Sequence, residues 1–209
     1  MKTLIWDYNG TIIDDLQLCL DIENFMLEER HMKAGFTKDD YRALFCFPVI
    51  DYYYKIGYTF ENESYEDVSK EFHDMYAKGF ESVTLTEGFE DKIQEAIAKG
   101  YRNVILSASR QDNLDYQTAA LGIRRYFDKV MGVNDLLASS KIDIALDWMK
   151  NSGIDPDECM YIGDSTHDFE CAEALGVKNC VLVSCGHQAF DVLKTKTDAV
   201  VHTLREIEL

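Results

Sequence analysis

From Gly88 onward the chain alternates between helix-period and strand-period segments without interruption, and this alternation restricts the fold more than any other feature. FEDKIQEAIAKG reads as a helix stopping at Gly100, and RNVILSAS as the strand after it. Helix QDNLDYQTAALG, strand KVMGV, helix SKIDIALDWMKNSG and strand CMYIGD follow. Then come helix HDFECAEALG, strand NCVLVS, a short helix QAFDVLK and a last strand AVVH. The glycines ending these helices, Gly100, Gly122, Gly153 and Gly176, supply the left-handed residue that stops a helix. Strands separated by helices of this length build βαβ units and a parallel sheet. The opening TLIWD is an apolar strand that belongs in the same sheet. Between them, residues 16–83 are tyrosine-rich and helical in pattern, as in LCLDIENFMLEE, DDYRALF and SYEDVSKEFHDMYAKGFESV, with no convincing strand. The expected fold is α/β: a Rossmann-like, three-layer parallel-sheet core from residues 1–15 and 84–209, with a helical domain, 16–83, inserted after the first strand.

Charge narrows the partners. Asp and Glu number 38 against 21 Lys plus Arg, a formal charge of −17, and no basic cluster exceeds the pair Arg124-Arg125. Such a surface repels nucleic-acid phosphates and anionic membranes, so neither is an expected partner. An anionic substrate needs cations placed locally against that field. The six cysteines contain no C-x-x-C pair, and most sit in apolar company. MKTLIW meets a charge too soon for a signal segment, and no apolar run approaches the roughly 20 residues that span a bilayer. A cytoplasmic protein with reduced thiols is expected; its oligomeric state is not legible.

No two of the twelve glycines lie closer than nine positions apart. That removes G-x-G-x-x-G, the P-loop and the G-x-S-x-G elbow, each of which needs two glycines close together. The five histidines form no H-E-x-x-H zinc site.

Ligands of open α/β sheets sit beyond the carboxyl ends of the strands. Those ends carry Asp7 after TLIW, Ser107 after NVIL, and Gly163-Asp164 after CMYI, with Lys141 opening the helix before the last of these. Singly, each has a plainer reading: a turn former or helix N-cap for Asp7, an N-cap for Ser107, a solvated lysine for Lys141. Together they place two carboxylates, a hydroxyl and an ammonium on one edge. Paired carboxylates suit a hard cation such as magnesium, and Ser107 and Lys141 suit phosphate oxygens.

Asp7-Tyr8-Asn9-Gly10-Thr11 resembles D-x-D-x-T, the first motif of the haloacid dehalogenase (HAD) superfamily. Ser107, Lys141 and Gly163-Asp164-Ser165-Thr166-His167-Asp168 follow in that superfamily's order, and the insert sits where it places a cap. Phe47-Pro48-Val49 and Gly186-His187-Gln188 look most like a phosphoglycolate-phosphatase-like branch. The resemblance implies a hydrolase acting on a small phosphorylated metabolite, either phosphoglycolate-like or a sugar phosphate. Asp7 would be the nucleophile, forming an aspartyl-phosphate. Mg2+ would be held by Asp7, the Asn9 carbonyl and Asp164, with Asp168 as a further ligand, through water or from behind. Lys141, Ser107 and the Ala108 N–H would hold the phosphoryl group, and Thr11 would brace the loop beside the substrate.

Asn9 departs from the pattern, because most phosphatases of the superfamily carry a general acid/base Asp there. An amide cannot shuttle protons, and positioned acid–base catalysis is worth roughly 10²–10⁴-fold. Three readings follow: a phosphatase whose proton comes from elsewhere, such as His187 or water; a phosphometabolite-binding protein with little turnover; or phosphonate cleavage. The last needs an insert amine, for which Lys33, Lys38, Lys55, Lys70 and Lys78 are formal candidates, each reading better as a solvated helix lysine. On the phosphatase reading, Asn9→Asp should speed esters with poor leaving groups most. Asp51-Tyr52-Tyr53-Tyr54-Lys55 reads first as helix-packing aromatics, alternatively as pocket groups. His187 is expected to cap the helix after it or to touch the substrate, and Arg110 to be an exposed helix-start residue or a contact to the substrate or its phosphate. Hinges are expected near Asp14-Asp15 and Leu85-Thr86-Glu87.

Overall fold

In the computed structural model, which describes residues 2–134 and 141–209, Thr3–Trp6 form β1 at the centre of a six-stranded parallel sheet. Its partners are β4 (Arg102–Arg110) on one side and β6 (Cys159–Gly163) on the other. Strand β5 (Lys129–Val133) lies outside β4, while β7 (Asn179–Val183) and the short β8 (Val200–Val201) extend the sheet beyond β6. The observed order is β5-β4-β1-β6-β7-β8. The expected parallel α/β core is therefore present.

β1 is apolar at consecutive positions because both faces of a parallel sheet are covered. Leu4 and Trp6 face one cluster, which continues into the inserted helices through residues such as Val68 and Tyr76. Ile5 faces the other, with Val104, Leu106, Tyr161 and Trp148. Between the strands run α5 (Phe89–Ala98), α6 (Gln111–Ala120), α7 (Ile142–Ser152) and α8 (Thr166–Ala174), with a single turn, α9 (Phe190–Leu193), before β8. Gly153 ends α7 at φ +66°, as its glycine predicts. Ser140, the expected first residue of that helix, lies outside the described residues. No helix of the described residues is long and apolar enough to cross a membrane.

Residues 16–83 contain α1 (Leu16–Glu29), α2 (Lys38–Leu44), α3 (Val49–Ile56) and α4 (Tyr65–Gly79). The points of departure and return, β2 (Ile13–Asp14) and β3 (Thr84–Leu85), pair as a two-stranded antiparallel ribbon that the sequence does not announce. The ribbon occupies the segments expected to be hinges, and Thr86 N–H adds a bond to the Ile12 carbonyl at 2.9 Å. α2 leans onto the loop after β7: Arg42 donates to the carbonyls of Gly186 and Cys185 at 2.9 and 2.8 Å.

Candidate active site

Sheet register assembles the site. Trp6 is level with Ile105 and Ile162, so the residues that follow leave the sheet along one edge. Asp7 is held there by its N–H, which donates to the Ile162 carbonyl at 2.8 Å. Ser107 and Ala108 line the same cavity from the second half of β4, and Asp164 lines it from just beyond β6. The chain after Asp7 must then pass very close to Asp164. Gly10, at φ +71°, and Gly186 make this possible: a Cβ on either would collide with the Asp164 carboxylate.

Lys141 is 2% exposed, and its ammonium donates to Asp7, to Asp168 at 2.6 Å and to the Leu106 carbonyl at 3.4 Å. Burial works against its charge, but Asp168 and Asp7 hold it well above the ordinary lysine value. Burial also raises Asp7 well above the usual carboxylate range; Asp168 adds to this and Lys141 opposes it. Asp164 is pushed up to about 6, chiefly by burial. Asp168 stays low because, against its burial, Lys141 and hydrogen bonds hold its charge.

Lys141 thus pairs with Asp7 and Asp168, while Asp164 accepts from the His187 N–H, and oxygens of Asp7, Asp164 and Asp168 all lie within 4.8 Å of one another. Hard oxygen donors with uncompensated negative charge fit a divalent cation such as magnesium. Asp168 is already engaged. Its Oδ1 accepts from Lys141 at 2.6 Å and Tyr161 at 3.2 Å. Its Oδ2 accepts from the N–H groups of Asp164 and Ser165 at 3.2 and 3.0 Å, and from Ser165 Oγ at 2.7 Å. Its geometry suits holding the loop more than direct ligation. Thr11 is fully buried and does not line the cavity. It donates to Asp164 at 3.4 Å, the contact by which it braces the loop.

Asn9 sits in a network that fixes its amide. Its Nδ2 donates to Asp15 at 2.7 Å and to Tyr76 OH at 3.1 Å, while its Oδ1 accepts from Ser109 Oγ at 2.7 Å. Asp15 also accepts from Gly10 N–H at 3.0 Å and Tyr76 OH at 2.7 Å, and pairs with His187 Nε2 at 3.0 Å. His187 does not cap the following helix, which begins at Phe190; its ring lies in the site, with Nδ1 3.1 Å from Tyr41 OH. Although burial opposes the charge, Asp15 raises the imidazole to about 9. Tyr76, Ser109 and Tyr41 went unnoticed in the sequence, and Asp15 was read there only as part of a hinge. The only available signal was spacing: Asp15, Cys19 and Glu23 recur every four residues, a polar line on one helix face.

An aspartate at position 9 would set a carboxylate against Asp15, which changes the expectation for that substitution. Asn9→Asp should lower the stability of the metal-free protein by on the order of 3 kcal/mol, the scale of an uncompensated buried charge. Asn9→Asp combined with Asp15→Asn should recover part of it in thermal melts. A single variant melting with wild type would show that the Asp15 contact does not govern this position.

Other expectations are settled simply. Arg110 is half-buried, lines the cavity and is paired with Asp112. Tyr52 and Tyr53 are buried and line the cavity, whereas Tyr54 is exposed and Lys55 turns away to Cys46 and the Leu44 carbonyl. Among the described residues lining the cavity, the only lysine is Lys141, so no insert amine is placed for imine formation.

A hydrolase of the α/β class is what this edge of carboxylates, lysine and hydroxyl defines, and comparison with known proteins places it further. Residues 4–182 match the haloacid dehalogenase-like hydrolase family, and the chain belongs to it. It is 26% identical over 194 residues to the phosphoglycolate phosphatase of Pseudomonas fluorescens, covering 89% of this chain and 70% of that one. It is 25% identical over 186 residues to the pyrophosphatase PpaX of Bacillus velezensis, covering 85% and 81%. Among solved structures, the protein tyrosine kinase A of Mycobacterium tuberculosis superposes with a TM-score of 0.79 at 20% identity, over 98% of this chain and 95% of that one. A haloacid dehalogenase-like protein of Streptococcus pneumoniae gives 0.77 at 18%, over 97% and 94%. The likeness to these structures shows the fold.

Proposed function

We propose that this chain is a magnesium-dependent phosphatase of small phosphorylated metabolites, working through an aspartyl-phosphate on Asp7. The observation that carries this reading is the buried Asp7–Lys141 contact beside Asp164, all three lining one cavity. The names of the two sequence relatives, both phosphatases, agree with it. Residues 16–83 act as the cap that closes the cavity.

Asp7, raised by its surroundings, carries the carboxylate oxygen that attacks phosphorus and breaks the bond to the leaving-group oxygen. Lys141 balances Asp7 and, with Ser107 and the Ala108 N–H, holds the phosphoryl oxygens. Magnesium, held by Asp7, the Asn9 carbonyl and Asp164, would supply charge neutralisation between the two anions. Asp168 positions Lys141 and the Asp164 loop. Cap closure through α2 keeps bulk water away. Water then cleaves the acyl-phosphate and returns Asp7.

Asn9, an amide held by Asp15 and Ser109, gives up no proton at neutral pH and cannot protonate the leaving group. The protonated ring nearest to it in this network is His187. His187→Gln should therefore slow alkyl esters about 10²-fold relative to aryl esters, which leave without protonation. Equal losses on both would remove His187 from that role. A second reading, a phosphometabolite-binding protein with little turnover, draws on the same locked amide.

The deciding experiment is magnesium-dependent phosphate release over a panel of alkyl, sugar and aryl phosphates, with Asp7→Asn alongside. Release that disappears in the variant supports the enzyme. Equal, slow release by both proteins refutes it and leaves the binding reading.

A further inference from the structure

We propose that the end of the cavity remote from Asp7 recognises a cationic organic group, making the substrate a small phosphate monoester that carries a protonated amine. This rests on the phosphatase reading above and names its substrate class.

Asp15, Cys19 and Glu23 share one face of α1 and all line the cavity. At 1.5 Å per residue, Glu23 lies roughly 12 Å beyond Asp15 along the helix, away from the phosphoryl site. Glu23 is 5% exposed and is hydrogen-bonded to Tyr53, yet its Oε2 has no hydrogen-bond partner. Gln117 lines the same cavity, is also buried, and its Oε1 is likewise unpartnered. Buried acceptors without donors are costly, and a ligand that brings N–H groups relieves both. Eight aromatic side chains line the cavity, and aromatic faces attract cations.

The protein's own cations are spent elsewhere. Lys141 serves the phosphoryl end. Arg110 lines the cavity but is held by Asp112, and Arg30, which does not line it, is held by Glu63 and Glu71 at 2.7 and 2.6 Å. Glu23 Oε2 accepts from no donor in the protein, so an N–H group of the ligand fits it better than a further carboxylate. Burial holds Glu23 up to about 8 in the ligand-free chain, so an entering ammonium would restore the charge that burial suppresses.

The test compares aminoalkyl phosphates, from 2-aminoethyl to 6-aminohexyl, with methyl-ended alkyl phosphates of equal length, in magnesium. For at least one length, kcat/KM should favour the amine about tenfold or more, and Glu23→Gln should cut that preference about tenfold, the scale of one charged hydrogen bond. A wild-type ratio of one at every length overturns the proposal, and does so even if Glu23→Gln fails to fold. A ratio unchanged in a folded Glu23→Gln also overturns it. Calorimetric titration of the same pairs onto Asp7→Asn separates the two readings. Amine-selective binding without turnover of any ester by wild type would refute the phosphatase and retain the cation site. Binding that ignores the amine would refute the cation site alone.

Discussion

Asp7→Asn is expected to reduce phosphate release by at least about 10⁴-fold, the scale seen when a nucleophile is removed, while making the metal-free protein more stable. The two effects share one cause. Burial and Asp168 raise Asp7 well above its ordinary value, so its charge at neutral pH works against the fold. Asparagine removes that charge, keeps an oxygen for Lys141, and leaves Lys141 matched with Asp168 at 2.6 Å. For a chain of this length each kcal/mol gained shifts Tm by about 2–4 °C. Parallel melts and phosphate assays in the absence and presence of magnesium measure both. A variant that loses activity and also melts lower would show that the Asp7 charge is compensated within the protein, contrary to the electrostatics described here.

Lys141→Met should be the most destabilising single change in the site. Methionine keeps the length of the side chain but leaves Asp7, Asp164 and Asp168 buried without the ammonium. Breaking such a pairing costs about 3–5 kcal/mol, or roughly 10 °C in Tm. Magnesium should return part of the loss, because a bound cation replaces the missing positive charge. A melt unchanged from wild type would mean that the cluster does not need Lys141 for its charge balance.

Much of the core was legible because its signals are local. Apolar TLIW and NVIL are each followed directly by a polar residue, and CMYI by Gly163 and then Asp164, and a parallel sheet aligns such ends on one edge. Lys141 was harder to read, since a lysine at a helix start has the same sequence context whether solvated or 2% exposed. His187 was assigned to a helix cap because nothing near it in sequence reveals Asp15, which precedes it by 172 positions and meets its ring at 3.0 Å. The tyrosines of α3 read as packing groups, yet Tyr52 and Tyr53 both pack and line the cavity. A helix face turned to a buried pocket looks the same in sequence as one turned to a core.

The sequence by itself determined the parallel α/β sheet and the edge bearing Asp7, Ser107 and Asp164, because strand and helix periods and glycine stops are properties of neighbouring residues. Only the tertiary structure decided how that edge is charged and closed. Folding of the insert onto the loop after β7 sets His187 against Asp15, locks the Asn9 amide, and turns Glu23 into a cavity wall. Distance and burial between segments far apart in the chain fix those energies, and no local pattern encodes either.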